Sequence, residues 1–488
     1  MAYRFSVINW RMLMRVMGWL LLIEGAFMLV PVATALYYGE KDLQAFLYAI
    51  AITVVTGAVT TTCVRPHRFD MGKRDGFLLT AMVWVVFSFF GMIPFMLSGI
   101  NISFSDAFFE AMSGFTTTGA SVIDNNADLS HAVHIWRSLM QWIGGMGIIL
   151  FTLAVLPMLN SSGGMQMFNA EVTGITHEKL RPRVSSTAKR LWLVYTLLTV
   201  FLCFLYWIGP MGAFDSVCHA FSTMSTGGFS TQADSIGAWN SLYIKIVTTV
   251  FMFIGGVNFA LIFKLSTGQV RTVWRNETFR LYIMLIVSVF IFFDVALLLN
   301  SAFHPGLEGL TIDPLFQIVS MMSSTGYVVE GSQEWGNAIF SVTLLLMFFG
   351  ACAGSTSGGA KIDRALLLWK NSRNELYRCI YPNHVLSVSS NGRTMSPELV
   401  NKVGVFLCLY VLVIIAGGII LSAMGQSVHE AFFSAFSCVS NTGLAITDNG
   451  SFAAVSDGGK WVLSLLMLTG RLEVFTVLVL FTPTLWSK

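Results

Sequence analysis

Four short stretches of this chain repeat one another: Phe115-Thr-Thr-Thr-Gly-Ala-Ser121, Ser225-Thr-Gly-Gly-Phe-Ser230, Ser323-Ser-Thr-Gly-Tyr-Val328 and Ser440-Asn-Thr-Gly-Leu-Ala445. Aligned on Gly119, Gly228, Gly326 and Gly443, they recur at intervals of 109, 98 and 117 residues. The alignment supplies its own test. Thirteen residues before each glycine stands an acid: Asp106, Asp215, Asp313 and Glu430. Acids are scarce, 26 in 488 residues, so four in one register mark a unit used four times.

Between each acid and its glycine lies a mostly apolar stretch of about eleven residues. As a helix it is about 16 Å long, half of the ~30 Å hydrocarbon core of a bilayer. The bilayer comparison applies because 55% of the chain is hydrophobic and only 11% charged, against about 25% charged in soluble domains. Six runs are long enough to cross: Val16–Tyr38, Leu43–Val64, Phe77–Leu97, Leu191–Ile208, Leu281–Leu299 and Val403–Met424. The first exceeds the apolar core of a cleavable signal peptide and is expected to stay as a helix. Each half-length stretch then enters from outside, stops near the midplane and returns. The unit reads helix, half-helix, filter loop, helix. The expected fold is an all-α polytopic membrane protein, with four such units around a central pore. A helix pair occupies residues 1–70, and the units occupy 71–165, 180–270, 276–375 and 395–488. That makes about ten spans.

Charge gives the orientation. Basic residues cluster before the first span (Arg4, Arg11, Arg15), after the second (Arg65, Arg68, Lys73, Arg74) and in three later connections: Lys179–Arg190, Lys264–Arg280 and Lys361–Lys402. The intervening Ser98–Ser130 and Ser301–Gly336 carry acids, Asp124, Asp128, Glu330 and Glu334 among them, and no Lys or Arg. The positive-inside rule places the basic set and both termini in the cytoplasm. A net charge of +3 gives no footing for a nucleic-acid partner. Seven cysteines without a CxxC pair read as structural thiols.

Irregular backbone at membrane depth is tolerated only inside protein or beside a water-filled cavity, so four loops there imply a pore. An acid at the outer end caps a half-helix and matches its positive dipole end, while the C-terminal end points negative charge at the centre. Glycine frees the backbone to turn carbonyl oxygens inward, and rings of carbonyls replace the hydration shell in potassium filters. The expected ion-binding filter is Thr117, Thr118 and Gly119; Thr226, Gly227 and Gly228; Ser324, Thr325 and Gly326; and Asn441, Thr442 and Gly443. The expected transported ion at these residues is potassium, and no organic cofactor is expected. The plainer alternative is that each Gly-Ser-Thr cluster is only a close-packing position between helices.

At these residues the sequence resembles the Trk/Ktr/HKT superfamily of cation transporters, and within it the bacterial Trk-type potassium uptake subunit. Asp106-Ala-Phe-Phe-Glu110, Gln141-Trp-Ile-Gly-Gly-Met-Gly-Ile148, Gly350-Ala-Cys-Ala-Gly-Ser-Thr-Ser-Gly-Gly-Ala-Lys361 and Gly470-Arg-Leu-Glu-Val-Phe475 carry the resemblance over essentially the whole chain. It implies a homodimer in the bacterial inner membrane, with one pore per subunit. It also implies a separate cytosolic nucleotide-binding (RCK-type) regulatory subunit, expected to dock near Arg181–Arg190 and Arg373–Arg378. In the family a serine in place of the first filter glycine goes with sodium preference; here all four positions are glycine.

Two further elements stand out. Gly350–Lys361 interrupts what reads as one long helix, because its glycines and small polar residues do not sustain a rigid one. A packed kink is one reading. The resemblance favours a gate beneath the filter, carried by Gly350, Gly354, Ser355, Thr356, Ser357, Gly358, Gly359 and Lys361. A phosphate-binding loop is excluded, since the lysine falls one place late and no Ser or Thr follows it. Arg471 lies midway through the last apolar segment, where an arginine is costly. It cannot face Glu473 two residues on and is expected near the inner pore as a charge barrier. Asp294 and Glu24 read as hydrogen-bonded packing residues or as a proton or sodium coupling site, and His131 and His134 as interfacial. The functional alternatives are proton- or sodium-coupled potassium symport and a less selective potassium/sodium pathway. An intramembrane enzyme would need a catalytic cluster such as HExxH or GxSxG, and neither occurs.

Overall fold

The computed structural model describes residues 8–65, 71–123, 129–147, 184–299, 306–329, 335–384, 386–446 and 450–486. Arg4, Arg68, Asp124, Asp128, Ile148, Lys179, Arg181, Arg183, Glu330 and Glu334 lie outside the described residues, as do parts of the expected 1–70 and 71–165 segments.

The six apolar runs all become helices long enough to cross a membrane: Trp10–Tyr38, Leu43–Cys63, Arg74–Leu97, Ala188–Ile208, Glu277–Leu299 and Pro397–Ala423. Two are interrupted, after Phe27 and after Gly91. The cause is Pro31 and Pro94, which lack a backbone N–H and crowd the carbonyl four residues earlier. The helices turn large apolar side chains outward, including Leu197, Phe201, Phe204, Met284, Ile291 and Leu298. Such a surface is stable only against lipid or another protein. Among the described residues the only strand pairing is a two-residue ribbon, Ser389–Ser390 against Arg393–Thr394. The chain is an all-α, multi-pass membrane protein.

Each unit contributes a short buried half-helix: Phe104–Phe115, Ala213–Met224, Leu307–Met322 and Val428–Val439. The second long helix of every unit is also broken, where the sequence suggested a break only in the third. The first ends at Gly145, after 15 residues. Leu242–Gly256 turns by 107° into Phe259–Ser266. Asn337–Phe349 gives way to the Gly350 loop, and Asp457–Arg471 stops before Glu473–Leu480. At 13 to 15 residues, about 20 to 22 Å, each of these pieces is shorter than the hydrocarbon thickness.

The N-terminal pair packs through glycine. A Cβ on Gly18 would lie 2.9 Å from the Gly57 carbonyl oxygen, and one on Gly57 equally close to Gly18 O. Small residues at such a crossing bring backbones into van der Waals range. Asn9 N–H donates to Asp75 Oδ1 at 2.9 Å, which fixes the start of the chain against the first unit, and within that unit Trp136 Nε1 donates to Gly91 O at 2.9 Å.

Candidate pore and gate

The four half-helices end in one local structure. The amide of the residue before each aligned glycine donates five places back: Thr118 to Ser113 O (2.9 Å), Gly227 to Ser222 O (2.8 Å), Thr325 to Ser320 O (2.9 Å) and Thr442 to Ser437 O (3.0 Å). The residue before that donates to the next carbonyl, at 3.0 to 3.3 Å. This is the Schellman ending, which requires a left-handed residue. Thr117, Thr226, Ser324 and Asn441 occupy it, with φ of 54°, 54°, 55° and 54°. Glycine is the usual choice there, and a side chain costs about 1 kcal/mol or more, so four strained residues in identical register point to a functional constraint.

The aligned glycines follow with φ of 81°, 81°, 77° and 78°. Their surroundings show why no side chain is present. A Cβ on Gly119 would strike Gly227 O; on Gly228, Thr325 O; on Gly326, Thr442 O; and on Gly443, Thr118 O. All four approaches fall inside the 3.0 Å that real Cβ atoms keep. Each strand therefore leans on the next, and the fourth leans on the first. The contacts form a closed ring of four backbone segments.

Polar side chains support the ring from behind. In units one, three and four a hydroxyl pair bridges the strand: Thr116 with Thr118 (2.8 Å), Ser323 with Thr325 (2.7 Å) and Ser440 with Thr442 (3.0 Å). Unit two has Gly227 instead. Gln141 fills that space, donating from Nε2 to Gly227 O at 2.7 Å and accepting from Ser222 Oγ at 2.7 Å and Phe229 N at 3.2 Å. Glu110, fully buried, accepts from Val122 N (3.1 Å) and pairs with buried Arg137 at 2.7 Å. His219 and Gln317 stand at the same register, nine residues before their glycines; His219 Nε2 takes Ser230 Oγ at 3.0 Å, and Gln317 Oε1 takes Val329 N at 3.4 Å.

The aligned acids need correction as caps. The N-caps are Ser103, Gly212 and Ser427, and the acids sit at the third helical position, where Asp106 completes a capping box with Ser103. Asp313 lies further in, after a helix start at Leu307. Two of the acids bind cations from the neighbouring unit: Lys245 Nζ meets Asp313 Oδ1 at 2.7 Å and Glu308 Oε1 at 2.9 Å, and Lys460 Nζ meets Asp106 Oδ1 at 2.5 Å. Asp215 accepts from Thr231 Oγ1 at 2.6 Å.

Beneath the ring the Gly350–Lys361 loop fills the centre. The helix break at Val257 frees two carbonyls to receive it: Cys352 N donates to Gly256 O at 3.1 Å and Thr356 N to Gly255 O at 3.3 Å. Asn258 Nδ2 donates to Ala353 O at 2.7 Å, and the loop closes on itself through Ala360 N to Phe348 O at 2.9 Å. Gly350, Gly354 and Gly359 supply positive φ at its turns. Ser355 Oγ donates to Cys352 O at 2.6 Å, and Lys361 Nζ reaches Ser357 O.

Arg471 ties this loop to the first unit. It donates to Thr356 O at 2.7 Å and to Gly144 O and Gly145 O at 2.6 and 3.0 Å, capping the broken end of the first inner helix. Glu473 turns away, with φ of 60°, and pairs with Arg364 at 2.5 Å, while Arg364 lies 3.9 Å from the Phe406 ring. Arg364, Arg471 and Glu473 line a cavity of about 90 Å³ together with the loop residues Gly354 to Gly359 and Lys361. Lys361, Arg364 and Arg471 face one carboxylate, Glu473, so the cavity is electropositive.

The structure thus brings all twelve expected filter residues into one ring and the eight loop residues with Arg471 into one body beneath it. Glu24 is fully buried and, among the described residues, neither of its oxygens has a hydrogen-bond partner, so the hydrogen-bonded packing role finds no support there; Asp294 Oδ1 likewise has none among them. His131 pairs with Glu40 at 2.8 Å, and His134 is buried. Sequence reasoning missed Glu110, His219, Gln317, Gln141, Arg137, Lys245 and Lys460 as supports. A signal existed: Lys245 and Lys460 both stand seventeen residues after their glycines, outside every cytoplasmic basic cluster.

Residues 42–488 match the family model described as TrkH, a cation transport protein. The chain is 36% identical over 486 residues to the Trk system potassium uptake protein TrkH of Salmonella typhimurium, covering 98% of this chain and all of that protein. It is 32% identical over 485 residues to the TrkG protein of Escherichia coli, covering 98% and 99%. The crystal structure of the potassium transporter TrkH from Vibrio parahaemolyticus superposes with a TM-score of 0.88 at 34% identity, over 98% of this chain and all of that one.

Proposed function

Because the chain belongs to the TrkH family of cation transport proteins, we propose that it carries potassium into the cell through the four-strand ring. Ions shed water at backbone oxygens of Thr117–Gly119, Thr226–Gly228, Ser324–Gly326 and Asn441–Gly443. The observation that carries the reading is the closure of the glycine-to-carbonyl contacts from unit four back to unit one. The names of the relatives support potassium as the ion. Inward movement needs no coupling chemistry, since an inside-negative voltage supplies about 2.3 kcal/mol per 100 mV for each charge.

In this reading the Gly350–Lys361 loop is the gate, and Arg471 holds it shut by joining Thr356 O to Gly144 O and Gly145 O. The electropositive cavity beneath repels a cation while the loop is in place. Both termini are cytoplasmic and the working form is a homodimer. A nucleotide-binding regulatory subunit docks on the basic cytoplasmic side, where Arg373 is exposed and Arg378 is braced by Glu375 at 2.6 Å.

Rubidium uptake by the purified protein in liposomes tests this reading. At fixed inside-negative voltage, with proton and sodium gradients collapsed, uptake is expected to persist and to be inhibited by potassium more strongly than by sodium. Uptake that stops when either gradient is removed would replace the pore by a symporter.

A further inference from the structure

We propose that the ring and the loop beneath it form one cooperative device, in which Ser324 is the positioning residue that ties ion discrimination to the seating of the loop. The inference rests on the reading of Gly350–Lys361 as a gate and deepens it.

The loop is packed flush against three of the four filter strands. Gly358 N donates to Ser324 Oγ at 2.5 Å. Thr356 Oγ1 meets Thr226 Oγ1 at 3.3 Å. A Cβ on Gly358 would lie 2.9 Å from Asn441 Cβ and would strike Ser440 O. Thr226, Ser324 and Asn441 are the left-handed residues that end half-helices two, three and four. The residues that set the course of each strand are therefore the ones the loop touches. Ser324 is fully buried, and its hydroxyl has two bonds: it donates to Ser323 O at 2.6 Å and accepts from Gly358 N.

A strained left-handed residue keeps its conformation only while its surroundings hold it. When the loop leaves, Ser324 loses its partner from below. The next residue, Thr325, carries the carbonyl against which Gly228 rests. Relaxation at Ser324 therefore shifts the spacing between strands two and three. The same geometry works in the other direction, since coupling between two sites is reciprocal. A gate and a filter without shared residues would titrate independently; these share Ser324.

The test is rubidium and sodium flux in liposomes for Ser324→Ala, Ser324→Thr, Gly358→Ala and the Ser324→Ala/Gly358→Ala pair. Ser324→Ala removes the acceptor. Ser324→Thr keeps it, and the same left-handed angle already holds threonine at 117 and 226. Gly358→Ala displaces the loop without changing a filter residue. Both alanine variants are expected to raise resting flux and to lower the rubidium-to-sodium ratio, each by about two- to tenfold, the size of one net hydrogen bond. The double variant is expected to fall short of the product of the two, because both break the same contact. Ser324→Thr restores the low resting flux. A Gly358→Ala protein with raised flux and the parent's ion ratio overturns the coupling and leaves the gate standing. Folded variants that change neither quantity overturn the gate and the coupling with it. If Ser324→Ala does not fold, Gly358→Ala and Thr356→Val decide between the same outcomes.

Discussion

Gly443 rests against the carbonyl oxygen of Thr118, so the last filter strand of the chain abuts the first across 325 positions of sequence. Asn441 Nδ2 adds a hydrogen bond to Thr118 Oγ1 at 3.0 Å across the same seam. Three strand-to-strand contacts could belong to an open arc. The fourth makes them a ring, and a ring has an axis along which an ion can pass.

Every aligned glycine meets two obstacles to substitution, a positive φ and a neighbouring carbonyl. Gly228→Ala pairs a φ of 81° with a clash at Thr325 O. It is expected to lose more than about tenfold of rubidium flux, since the left-handed penalty alone is about 1–2 kcal/mol. Gly268→Ala is the control: it has the same φ of 81° and nothing within 4 Å of its Cβ, and it is expected to retain flux. Flux assays on both variants check this.

The outer clamp between units four and one is a nearly buried ion pair, Lys460 to Asp106. Lys460→Met strands the carboxylate and is expected to lower stability by roughly 1–3 kcal/mol. Adding Asp106→Asn to that variant is expected to recover part of the loss, because the remaining unpaired charge is removed. Thermal unfolding in detergent measures both steps.

Glu110 and Arg137 are 0% and 1% exposed and hold the first filter strand through Val122 N. Breaking such a pair from one side costs about 3–5 kcal/mol. Glu110→Gln is therefore expected to reduce folded yield sharply, with Gln317, its natural counterpart in unit three, showing a smaller effect when changed to alanine. Size-exclusion yield and melting temperature check the order.

Arg471 makes three carbonyl bonds that join the loop to the first unit. Arg471→Ala removes them and the positive charge beneath the ring. Resting rubidium flux is expected to rise, by tenfold or more if the three bonds each count about 1 kcal/mol. Unchanged flux in a folded Arg471→Ala protein would remove this residue from the gate.

Much of this architecture is written locally. The four glycines, their acids and the small-residue loop are short-range patterns, and the six long spans follow from apolar length alone. The breaks in the inner helices are not local. Leu242–Leu265 reads as one apolar run, and it turns at Val257 because Gly255 and Gly256 carbonyls are needed by the loop a hundred residues later. The supports follow the same logic. Gln141 is an unremarkable polar residue until unit two is seen to have glycine where the others carry a hydroxyl. Arg137, Lys245, Lys460 and Arg471 lie outside the basic clusters, and each finds its partner on a half-helix or on the loop beneath the ring. An intramembrane cation that breaks the topology pattern is thus a readable sign of a long-range contact, although its partner is fixed only by the fold.

The most direct test is sodium competition against rubidium uptake in Gly119→Ser beside the parent protein. A serine there must displace Gly227 O from the ring and so change the spacing between strands one and two. Sodium is expected to compete several-fold better in the variant than in the parent. An identical competition ratio in a folded, conducting Gly119→Ser protein would contradict the ring as the place where the ion is chosen.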